Sequence, residues 1–328
     1  MSKLVTIYGG SGFVGRYIAR RMAKEGWRVR VACRRPNEAL FVKPYGAVGQ
    51  VEPVFCNIRD DASVRAAMAG ADAVVNCVGT FDKGGRNNFE AVQVEGAERI
   101  ARIATEGGVA AMVHISAIGA DAEAEADYSR TKADGEAAIL ATFPNALILR
   151  PSVIFGPEDG FFNRFAGMSR MGPILPLVGA ETKFQPVYVD DVAQAAVLGI
   201  LGKASGTFEL GGPDAGTLRH FVEEMLGVIH RRRLVLNMPF WKARIMAALL
   251  DFGSILTGGL VTNKILTRDQ VKSLKVDNTV AADAKGLADL GITATPISAV
   301  VPDYLWRFRP SGQYDAIKAS ARNLKHGG

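Results

Sequence analysis

Cysteine is scarce in this chain, and what there is does not pair. Cys33, Cys56 and Cys77 lie far apart among 328 residues, with no CxxC motif and no nearby histidine, which excludes a disulfide framework and a zinc site of ordinary spacing. A reducing compartment is the natural setting. The four histidines, His114, His220, His230 and His326, are equally scattered, so no metal site is expected. Long hydrophobic runs are missing too. The nearest, "IMAALLDFGSILTGGLV", is interrupted by Asp251 and falls short of the roughly 20 apolar residues that a spanning helix needs. The opening "MSKLVTIYGG" runs almost directly into an apolar strand and a glycine turn, leaving no room for a signal peptide. A cytoplasmic protein is expected. Charge of one sign is not abundant either: 39 Lys+Arg against 33 Asp+Glu give a net +6. That excess suits an anionic cofactor, a membrane surface or an acidic partner, and no nucleic-acid partner is expected.

What is present is a rhythm. Short β-like runs, "LVTIY", "RVRVA", "VEPVF", "DAVVNCV", "AAMVHIS" and "ALILR", alternate with helical patterns. Several strands read as continuous apolar runs, which implies a parallel sheet covered by helices on both faces. Gly26 closes the first helix, Asp60 and Asp61 open the second, and Gly107 and Gly108 end a long helix that begins near Asn88. The expected fold is α/β, a Rossmann-type doubly wound parallel sheet with a smaller mixed C-terminal lobe. Its expected divisions are a dinucleotide-binding core over 1–155, a mixed region over 156–310 that partly returns to the sheet, and a basic tail over 311–328.

The stretch "TIYGGSGFVGRY" places Gly9, Gly10, Gly12 and Gly15 between the first strand and the first helix. Glycine is needed where the backbone takes positive φ, approaches a pyrophosphate closely, or packs helix on strand with no Cβ between. The helix then aims free N–H groups and its positive dipole end at phosphates. Gly9, Ser11, Gly12, Phe13, Val14 and Gly15 are therefore candidate cofactor contacts. The second strand ends in "VRVACRRP", without the carboxylate that would hold a ribose 2′-hydroxyl. Arg34 and Arg35 stand there instead, able to pair with a 2′-phosphate, so NADP(H) is expected over NAD(H). After the third strand, Asn57 can accept a bond from the adenine amino group while Ile58 packs on the ring; an Asn at a strand end is also an ordinary turn residue.

Tyr128 and Lys132, in "ADYSRTKADGE", are four apart and share a helix face. A cation beside the phenol is expected to draw the Tyr128 pKa down from near 10 toward a range useful for proton exchange. Ser116, at the end of "MVHIS", can hold a substrate oxygen while hydride moves at the nicotinamide. Ser116, Tyr128 and Lys132 are thus the candidate catalytic set. Asp190 and Asp191 read as a helix cap, because adjacent side chains on a helix diverge.

Together, the Gly9-x-x-Gly12-x-x-Gly15 turn, Ser116, "YSRTK" and "LRPSVIFGP" resemble the extended or atypical short-chain dehydrogenase/reductase superfamily over about residues 3 to 215. The stretches "LRPSVIFGPEDGFFNRFA", "FQPVYVDDVAQA" and "LTRDQVKSLKVDN" are similar to the NAD(P)H-binding accessory subunits of respiratory complex I and their bacterial relatives. That resemblance implies a tightly held nucleotide without assigned turnover. It places Val78 and Gly79 beside the adenosine ribose, Tyr128 and Lys132 at the nicotinamide ribose, and Pro151 and Val153 near the nicotinamide. It also implies membrane respiratory-complex subunits as partners, on the cytoplasmic face of the inner membrane. One position departs: Gln93 stands where active members commonly carry Asn, which argues against efficient proton transfer but not against binding. The alternative is a free NADP-dependent reductase, epimerase or dehydratase acting on a ketone, sugar or lipid-like substrate. Finally, Trp241, Ile245, Leu249, Phe252 and Leu256 recur at threes and fours after three arginines, a stripe over 240–257 that is either core or a rest on lipid or a partner.

Overall fold

The computed structural model describes residues 2–81, 84–245, 247, 267–310 and 312–314. The chain divides into two compact units. The first comprises residues 1–152, 189–211 and 279–294; the second comprises 153–188, 212–278 and 295–328.

In the first unit, six apolar runs become strands: β1 (Leu4–Tyr8), β2 (Arg28–Cys33), β3 (Val51–Phe55), β4 (Ala73–Asn76), β5 (Ala111–Ile115) and β6 (Leu147–Pro151). They alternate with helices α1 (Phe13–Lys24), α2 (Asp61–Met68), α3 (Glu95–Glu106) and α4 (Asp127–Thr142). The chain then forms, in the second unit, β7 (Ile154–Phe155), α5 (Phe162–Met168), β8 (Ile174–Val178), β9 (Lys183–Phe184) and β10 (Val187–Tyr188). It returns to the first with α6 (Val189–Ile200) and β11 (Gly206–Leu210).

The resulting sheet runs β11-β6-β5-β4-β1-β2-β3, and every pairing in it is parallel. This is the doubly wound Rossmann-type order, whose direction reverses between β1 and β4 and leaves a crevice there beyond the strand C-termini.

Each face of the sheet is apolar because parallel strands are covered on both sides. Tyr8, Val74, Met112 and Ile148 point toward α2, α3 and α4 and pack with Val64, Ala97, Ile100 and Ile139. Thr6 and Tyr8, two apart on that face, donate their hydroxyls to the Ala67 and Val64 carbonyls at 2.9 and 3.0 Å. These bonds fasten β1 to α2 while satisfying two buried hydroxyls. On the opposite face α1 packs on α6, and Arg21 forks onto Asp190, both contacts at 2.8 Å. Asp190 is thus an ion-pair partner in the first turn of α6.

Residues 36–45 form a stretch of 3-10 helix opened by Pro36. A second irregularity matters more to the site: a π-helical turn over Glu90–Val94 precedes α3. There the Gln93 carbonyl meets α4 at Gly135, where a Cβ would lie 2.1 Å from the oxygen.

The second unit adds α7 (Leu218–Val228), helices Arg268–Ser273 and Ile297–Leu305, and the strands β12 (Gly216–Thr217) and β13 (Leu234–Met238). Its strands form three two-stranded ribbons, β10–β7, β12–β9 and β13–β8. Its core joins Phe155, Phe162, Leu175, Leu177, Phe221 and Met225 with Val301 and Leu305. Asp159 braces it, accepting backbone N–H groups from Gly156, Phe161 and Asn163 and the Tyr304 hydroxyl at 2.6 Å. Among the described residues no helix is long and apolar enough to cross a membrane. Of the 240–257 stripe, Trp241 and Ile245 are exposed, while Leu249, Phe252 and Leu256 lie outside the described residues.

Gly135→Ala would press a methyl onto a backbone carbonyl that cannot rotate away. A loss of about 3 kcal/mol in urea unfolding is expected, the upper end for overpacking; a neutral result would show that α4 is free to slide off the π turn.

Candidate functional site

The glycine turn has the geometry its sequence requires. Gly9 sits at φ +74°, and a Cβ there would lie 3.1 Å from the Cys77 carbonyl carbon and oxygen. At Gly15 a Cβ would fall 2.6 Å from Gly10 Cα and from the Gly9 oxygen. Only a glycine lets α1 start this close to β1. Gly12 caps α1 without any side-chain bond, and no acidic residue occupies the first turn. The N–H groups around Phe13 and Val14 therefore lack an internal partner and carry the positive end of the helix.

These elements enclose a cavity of about 260 Å³ at the switch point of the sheet. Of the expected cofactor set, Gly9, Ser11, Gly12, Arg34, Asn57, Ile58, Val78 and Gly79 line it. Cys33, Cys56, Cys77, Thr80, Asn87 and Val92 complete much of the wall. Phe13, Val14 and Gly15 form the turn and helix start beneath, and Arg35, Pro151 and Val153 are not in the wall. Pro151 ends β6, and Val153 begins the second unit, where its N–H bonds Asn278 at 3.1 Å. The Asn57 side-chain oxygen accepts the Arg59 N–H at 3.2 Å, an Asx turn that leaves one lone pair for a ligand.

Ser116, Tyr128 and Lys132 are not among the residues that line this cavity, although Lys132 comes close to it, and their bonds differ from expectation. Lys132 is buried and donates to the Ile115 carbonyl at 3.1 Å. Its Nζ is 3.8 Å from where a Gly79 Cβ would stand, so the amine borders the cavity wall. Burial pulls its pKa down from 10.5 to about 8, partly opposed by Glu136 and Cys77. Tyr128, half-buried, stacks on Phe81 with ring centroids 5.2 Å apart and meets Phe89 edge-on. The expected lowering of its pKa is not what the surroundings produce: burial pushes it up to about 12. Desolvation of the phenolate outweighs any help from the ammonium, which is itself weakened by burial.

Ser116 is also buried, and its hydroxyl donates to Glu136. Glu136 is gripped by Arg150, whose Nε and Nη2 reach its oxygens at 3.0 and 2.6 Å. Arg150 Nη1 lies 3.8 Å from Glu209 as well. Glu136 and Arg150 escaped the sequence reading, although Glu136 follows Lys132 by one further helical step on the same face. Gln93 is buried; its amide donates to the Thr80 carbonyl at 2.9 Å and accepts from Thr131 at 3.3 Å. It thereby ties α4 to the cavity wall.

With this geometry in place, comparison with known proteins decides the family. A model described as the NAD dependent epimerase/dehydratase family matches residues 5–211. The chain belongs to that family. It is also homologous to the accessory subunits of complex I. It is 34% identical over 316 residues to the Arabidopsis thaliana mitochondrial NADH dehydrogenase [ubiquinone] 1 alpha subcomplex subunit 9, covering 94% of this chain and 79% of the relative. The Neurospora crassa NADH-ubiquinone oxidoreductase 40 kDa subunit is 31% identical over 322 residues, covering 98% and 83%. Among solved structures, the Thermus thermophilus UDP-glucose 4-epimerase, in complex with NAD, shares the fold with TM-score 0.60 at 19% identity, covering 72% of this chain and 86% of that one.

This finding overturns the expectation of NADP(H): the matching family is described as NAD dependent. The structure supplies a physical reason. Arg35 pairs with Glu38 at 3.1 Å on an exposed turn, so one arginine of the supposed phosphate fork is engaged by a carboxylate. That carboxylate would also repel a 2′-phosphate.

Lys132 gives this site a pH signature. Between about 8 and 10.5 the folded chain binds fewer protons at Lys132 than the unfolded chain does. Its burial cost is therefore full below the lower value and fades as pH rises. Lys132→Met is expected to gain most over wild type at pH 7 in urea unfolding, and that gain should shrink by about 3 kcal/mol on moving to pH 10.5. A difference that does not change with pH would mean that Lys132 titrates as if exposed.

Proposed function

We propose that this chain is a nucleotide-holding accessory subunit of a membrane-bound respiratory complex of the NADH:ubiquinone type, carrying NAD(H) in the β1–β4 cavity without turning it over, on the cytoplasmic face of the inner membrane. The observation that carries this reading is the commitment of Ser116. The hydroxyl that a reductase would offer to a substrate oxygen is given instead to Glu136, and Arg150 fixes Glu136 in place. A buried charge-assisted bond of that kind is among the stronger ones and is costly to break. Homology to complex I accessory subunits over nearly the whole chain supports the same role.

In this reading the α1 N-terminus with Gly9, Ser11 and Gly12 holds the pyrophosphate. Asn57 and Ile58 meet the adenine, and Val78 and Gly79 lie beside the adenosine ribose. Tyr128 and Lys132 hold the nicotinamide ribose. When bound, the nicotinamide would supply hydride chemistry, but a phenol at about 12 is a poor proton donor at neutral pH.

A second reading, a free reductase, epimerase or dehydratase, is favoured by one observation: Lys132, with its amine near 8, borders the cavity beside Gly79. It requires Ser116 to exchange Glu136 for substrate.

Native protein from solubilised membranes is expected to migrate with NADH:ubiquinone oxidoreductase activity and to carry a nucleotide without a 2′-phosphate that exchanges slowly with added NADH. Ser116→Ala should leave NADH affinity within about twofold, as for a change away from the ligand. Migration apart from that activity would sink the accessory role. NADH oxidation driven by a carbonyl compound and lost in Tyr128→Phe would establish the second reading.

A further inference from the structure

The β8–β13 ribbon of the second unit has one face in the core; on the other face Val178 and Met238, at the strand ends, pack with Phe240, Ala243, Ala247 and Val271, and the remainder is apolar and exposed. Leu175, Leu177 and Val235 turn inward onto the Phe162–Phe221 core. Period-two alternation then sends Ile174 and Pro176 of β8, and Leu234 and Leu236 of β13, to the other side. Parallel pairing sets Leu234 opposite Ile174 and Leu236 opposite Pro176, so the four form a single patch. Ile174 is 51% exposed, Leu234 59% and Leu236 44%, and Met171, just before β8, is 83% exposed. A solvated sheet face is ordinarily polar.

The same parallel register brings charge to one end of this patch. Arg170 lies four residues before β8, and Arg231, Arg232 and Arg233 directly precede β13. The two segments are bonded together: Leu234 N–H donates to Pro173 at 2.9 Å, and Arg233 Nε to the Ser169 carbonyl at 2.6 Å. Arg231 is held by the Phe308 carbonyl at 2.8 Å. Its proton affinity is lowered by burial and then by the charges of Arg233 and Arg170, as expected of cations crowded together. Among the described residues none of these four arginines is paired with a carboxylate.

We propose that this outer face, with its head of four arginines, docks the chain on an anionic lipid bilayer. Size and charge choose that occupant. Five residues on each of two strands give a footprint of about 17 by 10 Å, far below the ~800 Å² per partner of a stable protein interface. A bilayer asks less: a few aliphatic side chains reach the headgroup boundary while neighbouring arginines meet lipid phosphates, their stems lying along apolar surface. Arginines without carboxylate partners complement a negative surface, whereas a second copy of the same face would bring like charges together.

The test is sedimentation of the full chain with vesicles, chosen to contain no respiratory-complex subunit, so that its outcome is independent of the accessory role. Binding is expected with vesicles of phosphatidylcholine and phosphatidylglycerol, not with phosphatidylcholine alone, and is expected to weaken with added salt. Arg170→Gln with Arg232→Gln, two exposed positions, should weaken it about 25-fold, at about fivefold for each charge removed. Leu234→Gln with Leu236→Gln should also weaken it. An unchanged thermal midpoint and unchanged NADH affinity would confirm that both variants fold. The proposal is overturned by equal binding to both vesicle types, by binding to neither, by insensitivity to both variants, or by self-association in analytical ultracentrifugation that the leucine variant abolishes.

Discussion

A helix can begin in van der Waals contact with the turn that precedes it only if nothing larger than hydrogen stands where the two cross, and here that crossing is Gly15 over Gly10. The same constraint repeats at Gly9 against Cys77, so β1, α1 and the end of β4 converge at one point. The positive end of an uncapped helix then faces a crevice that the strand order itself opens. The remaining features of the first unit follow from holding that crevice in place. Thr6 and Tyr8 fasten β1 to one layer of helices, and Arg21 fastens α1 to α6 in the other.

Along the far side of the crevice the problem is electrical, not steric. Lys132, Glu136 and Arg150 are all partly or wholly withdrawn from water, where a lone charge is expensive. Arg150 and Glu136 compensate one another, and Ser116 supplies a further donor to the carboxylate. Among the described residues Lys132 donates to a neutral carbonyl, that of Ile115, and burial without a bonded carboxylate lowers its pKa. The network keeps the C-terminal ends of β5 and β6 and the middle of α4 in fixed relation. It does so by occupying the serine.

Much of this was legible from one-dimensional pattern, because the information was local. Apolar runs between turn residues gave the strands, and Gly9, Gly12 and Gly15 specified a backbone path that few other residues could follow. The reading of Arg34 and Arg35 judged their chemistry by residue type, whereas Arg35 pairs with Glu38, one turn further along a 3-10 segment. Tyr128 was judged by its neighbour in sequence, while burial under Phe81 and Phe89 decides its proton affinity. The π turn at Gln93 has no comparable sequence signature, since it depends on α4 arriving at Gly135, more than forty residues later. Long-range contacts of this kind are what pattern alone does not encode.

In the proposed accessory role, the difference between an oxidoreductase and a nucleotide carrier comes down to which acceptor the Ser116 hydroxyl prefers. With Glu136 held by Arg150, Ser116 has a charge-assisted acceptor stronger than a neutral carbonyl oxygen of a substrate. Turnover would require that bond to be given up inside a low-dielectric wall, leaving Glu136 with one donor fewer. The phenol of Tyr128 offers no compensating drive, since burial holds its proton at neutral pH. Binding the nucleotide asks for none of these changes. The glycine turn, the helix end and the apolar wall of Ile58, Val78 and Val92 stand ready as they are. In that role the geometry serves to hold a dinucleotide, while chemistry through Ser116 would first have to undo a buried, charge-assisted contact.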